Sequence, residues 1–309
     1  MATEDLKTGL DIYKAALLDA GESDSGSGDY ASDAARAVRQ AYWSVLSHAR
    51  WPWAMSPNPN VITTRASQRV TFSGVTGATV TLSANLTPSA EFCKVYLEST
   101  QAVYRILAHT NNTPTLVLDA TYVETEETGP AVIFQDEYTL PPDVLRVWDP
   151  MWLRGWRNNP IPLLDKTLFE ERYGRGSAWA FGAGFIEAAC EVHPQGYDAN
   201  GTSTNMLRQV RFAPWSEDAL NIEHDYTVFH DLDFSGAEAT DTPKIPREHR
   251  VIIANFAASL LLLNKDDTKS KDYATMGGGK LQEMVNQYIP SQSGRVWVRP
   301  QHSATLGLT

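Results

Sequence analysis

Hydrophobic positions in the first fifty residues recur with helical spacing. Leu6, Leu10, Tyr13 and Leu17 share one face of TEDLKTGLDIYKAALLDAG, which predicts an amphipathic helix. Thr3 is the expected N-cap, Glu4 and Asp5 suit the positive helix start, and Gly21 marks the stop. After the polar stretch ESDSGSGDY, a second stripe of Ala35, Val38, Tyr42, Val45 and Ala49 predicts another helix, which Pro52 ends. Two such helices form an antiparallel pair whose stripes need a third partner.

From about residue 61 the period changes from helical to alternating. RVTFSGVTGATVTLSA, KVYLES, AVYRILAH, TPTLVLDATYV and AVIFQDEYTL are β-branched and aromatic runs broken by Gly, Asn and Pro. They predict a compact antiparallel β unit. YTLPPDVLRV closes it, because Pro141 and Pro142 cannot donate to a ladder, and Asp143 is placed to brace the turn. Beyond this corner, DKTLFEERYG reads as a short helix capped by Asp165. FIEAACEVH, MLRQVRFAP and ALNIEHDYTVFHDL read as strands.

VIIANFAASLLLL (251–263) is apolar nearly all round, which places a helix at the centre of a helical layer. At about 13 residues it is too short for a membrane span of roughly 18 or more. A last helix is expected from about Thr268 to Tyr288, with a break or close backbone packing at Gly277, Gly278 and Gly279. The final twenty residues have no helical period. Their RVWVRP segment alternates like a strand without a partner in its own chain, which suits docking onto another subunit.

Charge and candidate chemistry narrow the function. A net charge of -11 opposes nucleic-acid binding, which needs clustered Lys and Arg. Cys93 and Cys190 are far apart and read as reduced thiols of a cytosolic product. No basic and apolar leader opens the chain. TMGGGKL lacks the first glycine and the terminal hydroxyl of a phosphate-binding loop. His224 and His230, six residues apart on a strand, would stand roughly 20 Å apart and share no metal. Glu124, Glu126 and Glu127 read as a solvated loop. No catalytic residue, cofactor site or metal site is assigned, and no enzymatic activity is expected. RVWDPMWLRGWRNN is the richest aromatic and basic stretch. Its Trp148, Trp152, Trp156, Arg154 and Arg157 are the types that anchor protein interfaces.

Taken in order, WSVLSHARWPWAM, YTLPPD before an LRV strand, and IPREHR opening the apolar helix resemble the head-to-tail adaptor, or head-completion connector, proteins of tailed bacteriophages. The resemblance covers almost the whole chain. The long loop from 193 to 205 and the triple glycine depart from it. It implies an α+β fold: a helical bundle of about four helices with an inserted antiparallel β domain and an extended C-terminal arm. The expected segments are a helical pair over 1–60, the β domain over 61–140 and mixed short helix and strands over 141–244. C-terminal helices over 245–289 would complete the bundle, and the arm would occupy 290–309. The family's function would be a non-enzymatic ring, commonly a dodecamer, joining the portal protein to a tail tube or nozzle protein at the virion's head–tail interface. DNA would pass through its channel without specific binding, and no membrane is involved. Made in the host cytoplasm, it would dock on the portal through Arg295, Val296, Trp297, Val298, Arg299 and Pro300. The competing reading is a receptor- or glycan-binding tail component, since exposed tryptophans stack on sugars.

Overall fold

The computed structural model describes residues 6–22, 29–124, 128–173, 185–192, 208–230, 232, 242–263 and 265–289. In chain order the elements begin with helices α1 (Gly9–Asp19) and α2 (Asp29–His48). Twelve strands follow: β1 (Asn60–Thr63), β2 (Gln68–Thr76), β3 (Thr79–Leu86), β4 (Lys94–Leu97), β5 (Val103–His109), β6 (Thr113–Leu118), β7 (Gly129–Phe134), β8 (Glu137–Thr139), β9 (Val144–Val147), β10 (Met151–Leu153), β11 (Trp156–Ile161) and β12 (Leu163–Leu164). Then come α3 (Lys166–Tyr173), β13 (Ala188–Val192), β14 (Gln209–Ala213), β15 (Asn221–His224), β16 (Tyr226–Val228), α4 (Val251–Leu262) and α5 (Asp267–Tyr288). The chain divides into two compact units, Met1–Pro57 with Thr227–Thr309, and Asn58–Tyr226.

The expected bundle of about four helices with one inserted β domain is overturned. The described chain is mostly β, with a closed six-stranded antiparallel barrel and further sheets, and only five α-helices. The physical reason lies after the corner. The short strands β10 to β15, joined by β1 and β8 from before it, build two four-stranded sheets, yet strands of two to six residues carry too few alternations to announce a sheet.

In the unit of residues 58–226, the barrel runs in the order β2-β3-β6-β5-β4-β7. Alternate residues point inward, so Phe72, Val80, Leu82, Val95, Ile106, Leu116 and Ile133 meet in a filled core. One sheet runs β1-β15-β10-β11 and another β12-β13-β14-β8, with Phe169 and Tyr173 of α3 packed on Ala188 and Cys190 of the second. The Pro-Pro-Asp corner is a turn in which Val144 N–H donates to Pro141 O at 3.1 Å. Asp143 Oδ2 accepts from Tyr226 O–H at 3.2 Å, so it braces the turn against a distant strand.

In the other unit, α4 packs against α1, α2 and α5. Thr3 lies outside the described residues. The helix it was expected to cap opens later, where Thr8 and Asp11 form a reciprocal capping box. Gly21, at φ +78°, closes α1 with Gly21 N–H on Leu18 O and Glu22 N–H on Leu17 O. Helix α5 runs unbroken through the triple glycine. An added Cβ on Gly277 would stand 2.9 Å from the Phe256 ring, whereas Gly278 and Gly279 face open space. Close packing, and not a break, accounts for the first glycine.

Candidate protein-binding surface

The Trp- and Arg-rich stretch folds as a hairpin. Met151 pairs with Ile161, Trp152 with Pro160 and Leu153 with Trp156, so Arg154 and Gly155 alone make the turn. Gly155 sits at φ +82°, a backbone region that a side chain would strain. On its inner side β10 pairs with β15. Among the described residues the outer edge of β11 has no partner strand, and Pro160 is tolerated there because an edge position needs no ladder N–H.

This geometry divides the five candidates. Trp156, beside the turn, is 66% exposed. Arg154 is also largely exposed, and its Nε lies 3.3 Å from Glu223 Oε1 while its N–H donates to Asn221 O at 2.8 Å. The hairpin tip is thereby tied to β15. Trp152 is half-buried in the sheet. Trp148 stands apart, with the Arg146 guanidinium 4.3 Å from its ring centroid. Arg157 belongs to β11, but its side chain falls outside the described ones. Arg295, Val296, Trp297, Val298, Arg299 and Pro300 all lie outside the described residues. The contiguous stretch therefore presents one exposed aromatic anchor, Trp156, held on a braced hairpin. Its other tryptophans serve the fold at least in part.

Sequence reasoning missed a buried charge cluster where the barrel meets the second sheet. Lys94 Nζ on β4 lies 2.7 Å from Asp136 Oδ2 and 3.3 Å from Glu137 Oε1. Arg211 Nε on β14 donates to Glu137 Oε1 at 2.9 Å, and Arg105 Nη2 on β5 is 3.7 Å from Glu137 Oε2. Burial opposes ionisation of Glu137, yet Lys94 and Arg211 outweigh it and hold the carboxyl down at about 2. Asp136 is pushed up, first by its burial and then by the neighbouring Glu137 charge, with Lys94 pulling against both. The only hint in the sequence was the adjacent acid pair Asp136–Glu137, one residue beyond the apolar run that ends at Phe134.

The remaining candidates resolve into local contacts. His224 is fully buried with Nε2 3.0 Å from Asn60 Nδ2, and burial holds it down at about 4. His230 Nδ1 instead faces Tyr42 O–H at 3.1 Å. Both cysteines are buried free thiols, and burial pushes Cys190 up to about 12. Among the described residues, no cluster of three or more His, Cys, Asp and Glu is placed to hold a metal ion. None of the described helices is long and apolar enough to cross a membrane.

No protein-family model and no curated protein matches the chain. The motifs behind the phage resemblance nevertheless have clear physical duties. Trp51 of RWPW is fully buried, donates from Nε1 to Val45 O at 2.7 Å and stacks on Trp53. Tyr138 of YTLPPD accepts from Arg65 N–H and donates to Gln135 O, each at 2.9 Å. Arg250 of PREHR is buried and donates to the carbonyls of Leu6, Lys7, Pro243 and Ile245. Each motif is a corner post.

Proposed function

We propose that this protein is a structural head-to-tail adaptor of a tailed bacteriophage. It forms a homo-oligomeric ring between the portal protein and the tail tube or nozzle protein, at the head–tail interface of the virion. It carries out no reaction. The observation that carries this reading is Trp156, a large aromatic left 66% exposed on a hairpin anchored by Arg154 and Glu223. Exposed tryptophan held on a rigid element is the kind of side chain that dominates protein–protein binding. The order of motifs along the chain and their use as corner posts support the same reading. The net charge of -11 supports passage of DNA without capture, since phosphates find no cation ladder to grip. The arm residues Arg295 to Pro300 are proposed as the portal-docking segment.

Sedimentation velocity of the purified chain, alone and mixed with its portal ring, tests the proposal. The chain is expected to sediment slowly alone and to co-sediment with portal as a ring. Deleting residues 291–309 removes that association. Trp156→Ala leaves the denaturation midpoint within about 0.5 kcal/mol of wild type and weakens ring formation by roughly tenfold or more. Binding to glycans or cells, with indifference to portal and to the deletion, would overturn the adaptor reading.

A further inference from the structure

The barrel is closed by pairing, but one seam is only half sewn. Strand β2 pairs with β7 over Gln68 to Phe72 and with β3 only from Phe72 onward. Beyond Leu82, β3 no longer pairs with β2, and its ladder with β6 is interrupted until Leu86. Between the parted segments lies a cleft of about 430 Å³, lined by residues 68–71 and 82–87. Successive residues of a strand direct their backbone groups to opposite edges. Half of the N–H and C=O groups of residues 68–71 therefore face this cleft and not β7.

The margin of the cleft is rigidly built. Gln68 Nε2 donates across it to Thr87 O at 2.9 Å. Arg65 donates to Pro88 O at 2.9 Å, to Ser89 O and to Gln68 Oε1. His109 Nδ1 accepts from Ala90 N–H at 3.0 Å, which leaves Nε2 to donate to Thr113 O at 3.1 Å. These bonds fix the loop after Thr87, on which Phe92 stands at φ +66° with 54% of its surface exposed. A bulky residue keeps a left-handed backbone only where its surroundings over-determine it. Here the surroundings present an aromatic ring to solvent.

We propose that this seam is a strand-acceptor site for an extended segment of a partner protein, carrying a carboxylate beside Arg69. This strand edge, unpaired among the described residues, recognises extended backbone, the geometry of β-augmentation. Arg69 supplies the charge preference, because it is the one charged side chain lining the cleft and is 81% exposed, with Glu98 a loose 3.8 Å away. The hydrogen bonds of Arg65 and Gln68 hold the margin of the cleft in place before binding, which lowers the ordering cost. The proposal is independent of ring assembly and is tested on the soluble full-length chain.

The probes are three synthetic decapeptides of alternating Val and Thr, with Asp, Lys or Pro at the centre. Residue-resolved hydrogen exchange should show the Asp peptide slowing the cleft-facing amides of residues 68–71 by about tenfold or more, with the Pro peptide inert. Arg69→Glu should transfer the preference to the Lys peptide. Equal slowing by all three peptides, or none at millimolar concentration, would refute the site. Protection that rises with protein concentration without peptide would also refute it, assigning the seam to a second copy.

Discussion

Arg250 shows how much a single side chain organises here. Its planar fork reaches four carbonyls from two separate segments, a task that the point charge of lysine cannot share out. Arg250→Lys is expected to cost about 2 kcal/mol by leaving buried acceptors unpaired, measured as a lower denaturation midpoint. His224 makes a pH-dependent contribution. Its folded value near 4 lies below the ordinary 6.5, so the unfolded chain binds a proton that the folded chain refuses. Its contribution is complete above about pH 6.5 and is lost as pH falls towards 4, with an amplitude of about 3 kcal/mol. Denaturant titrations at pH 7.5 and 4.5 should show His224→Leu losing less stability than wild type across that interval. An equal loss in both would contradict the assignment.

At the scale of elements, the triple glycine separates packing from propensity. Gly277→Ala drives a methyl into the Phe256 ring and should destabilise the α4–α5 contact by about 1–3 kcal/mol. Gly278→Ala and Gly279→Ala meet open space and should each stabilise α5 by up to about 1 kcal/mol. Thermal denaturation of the three variants checks the order. These elements also mark what the sequence discloses. Helices α2, α4 and α5 were legible because long stripes repeat over several turns, and the barrel strands because Val, Thr and Ile alternate between turn residues. The sheets after residue 141 were not legible, since their partners are brought together by topology alone: β15 pairs with β1 from far upstream, and β14 with β8. Trp156 stood out by residue type, but nothing local distinguished it from Trp152 or Trp148. That distinction comes from the hairpin register. Phe92 left no signal, because a left-handed backbone at phenylalanine has no sequence signature.

At the scale of the molecule, the unit of residues 58–226 is held at the base of its barrel by buried charge. Lys94 and Arg105 come from barrel strands, and Glu137 and Arg211 from the adjoining sheet. Glu137→Gln would leave these cations short of a carboxylate, at a cost of about 3–5 kcal/mol in urea denaturation. A change below about 1 kcal/mol would place the joint's stability in the Phe134–Trp215 stack instead. Such a joint fixes the barrel on its sheet.

The adaptor role proposed above is tested most directly by electron cryomicroscopy of the assembled phage particle, at the vertex through which the genome leaves. An adaptor would stand there as a closed ring beneath the portal, with Trp156 buried against a neighbouring protein. Density for the chain as a solitary or distal fibre component, with Trp156 still facing solvent, would contradict it.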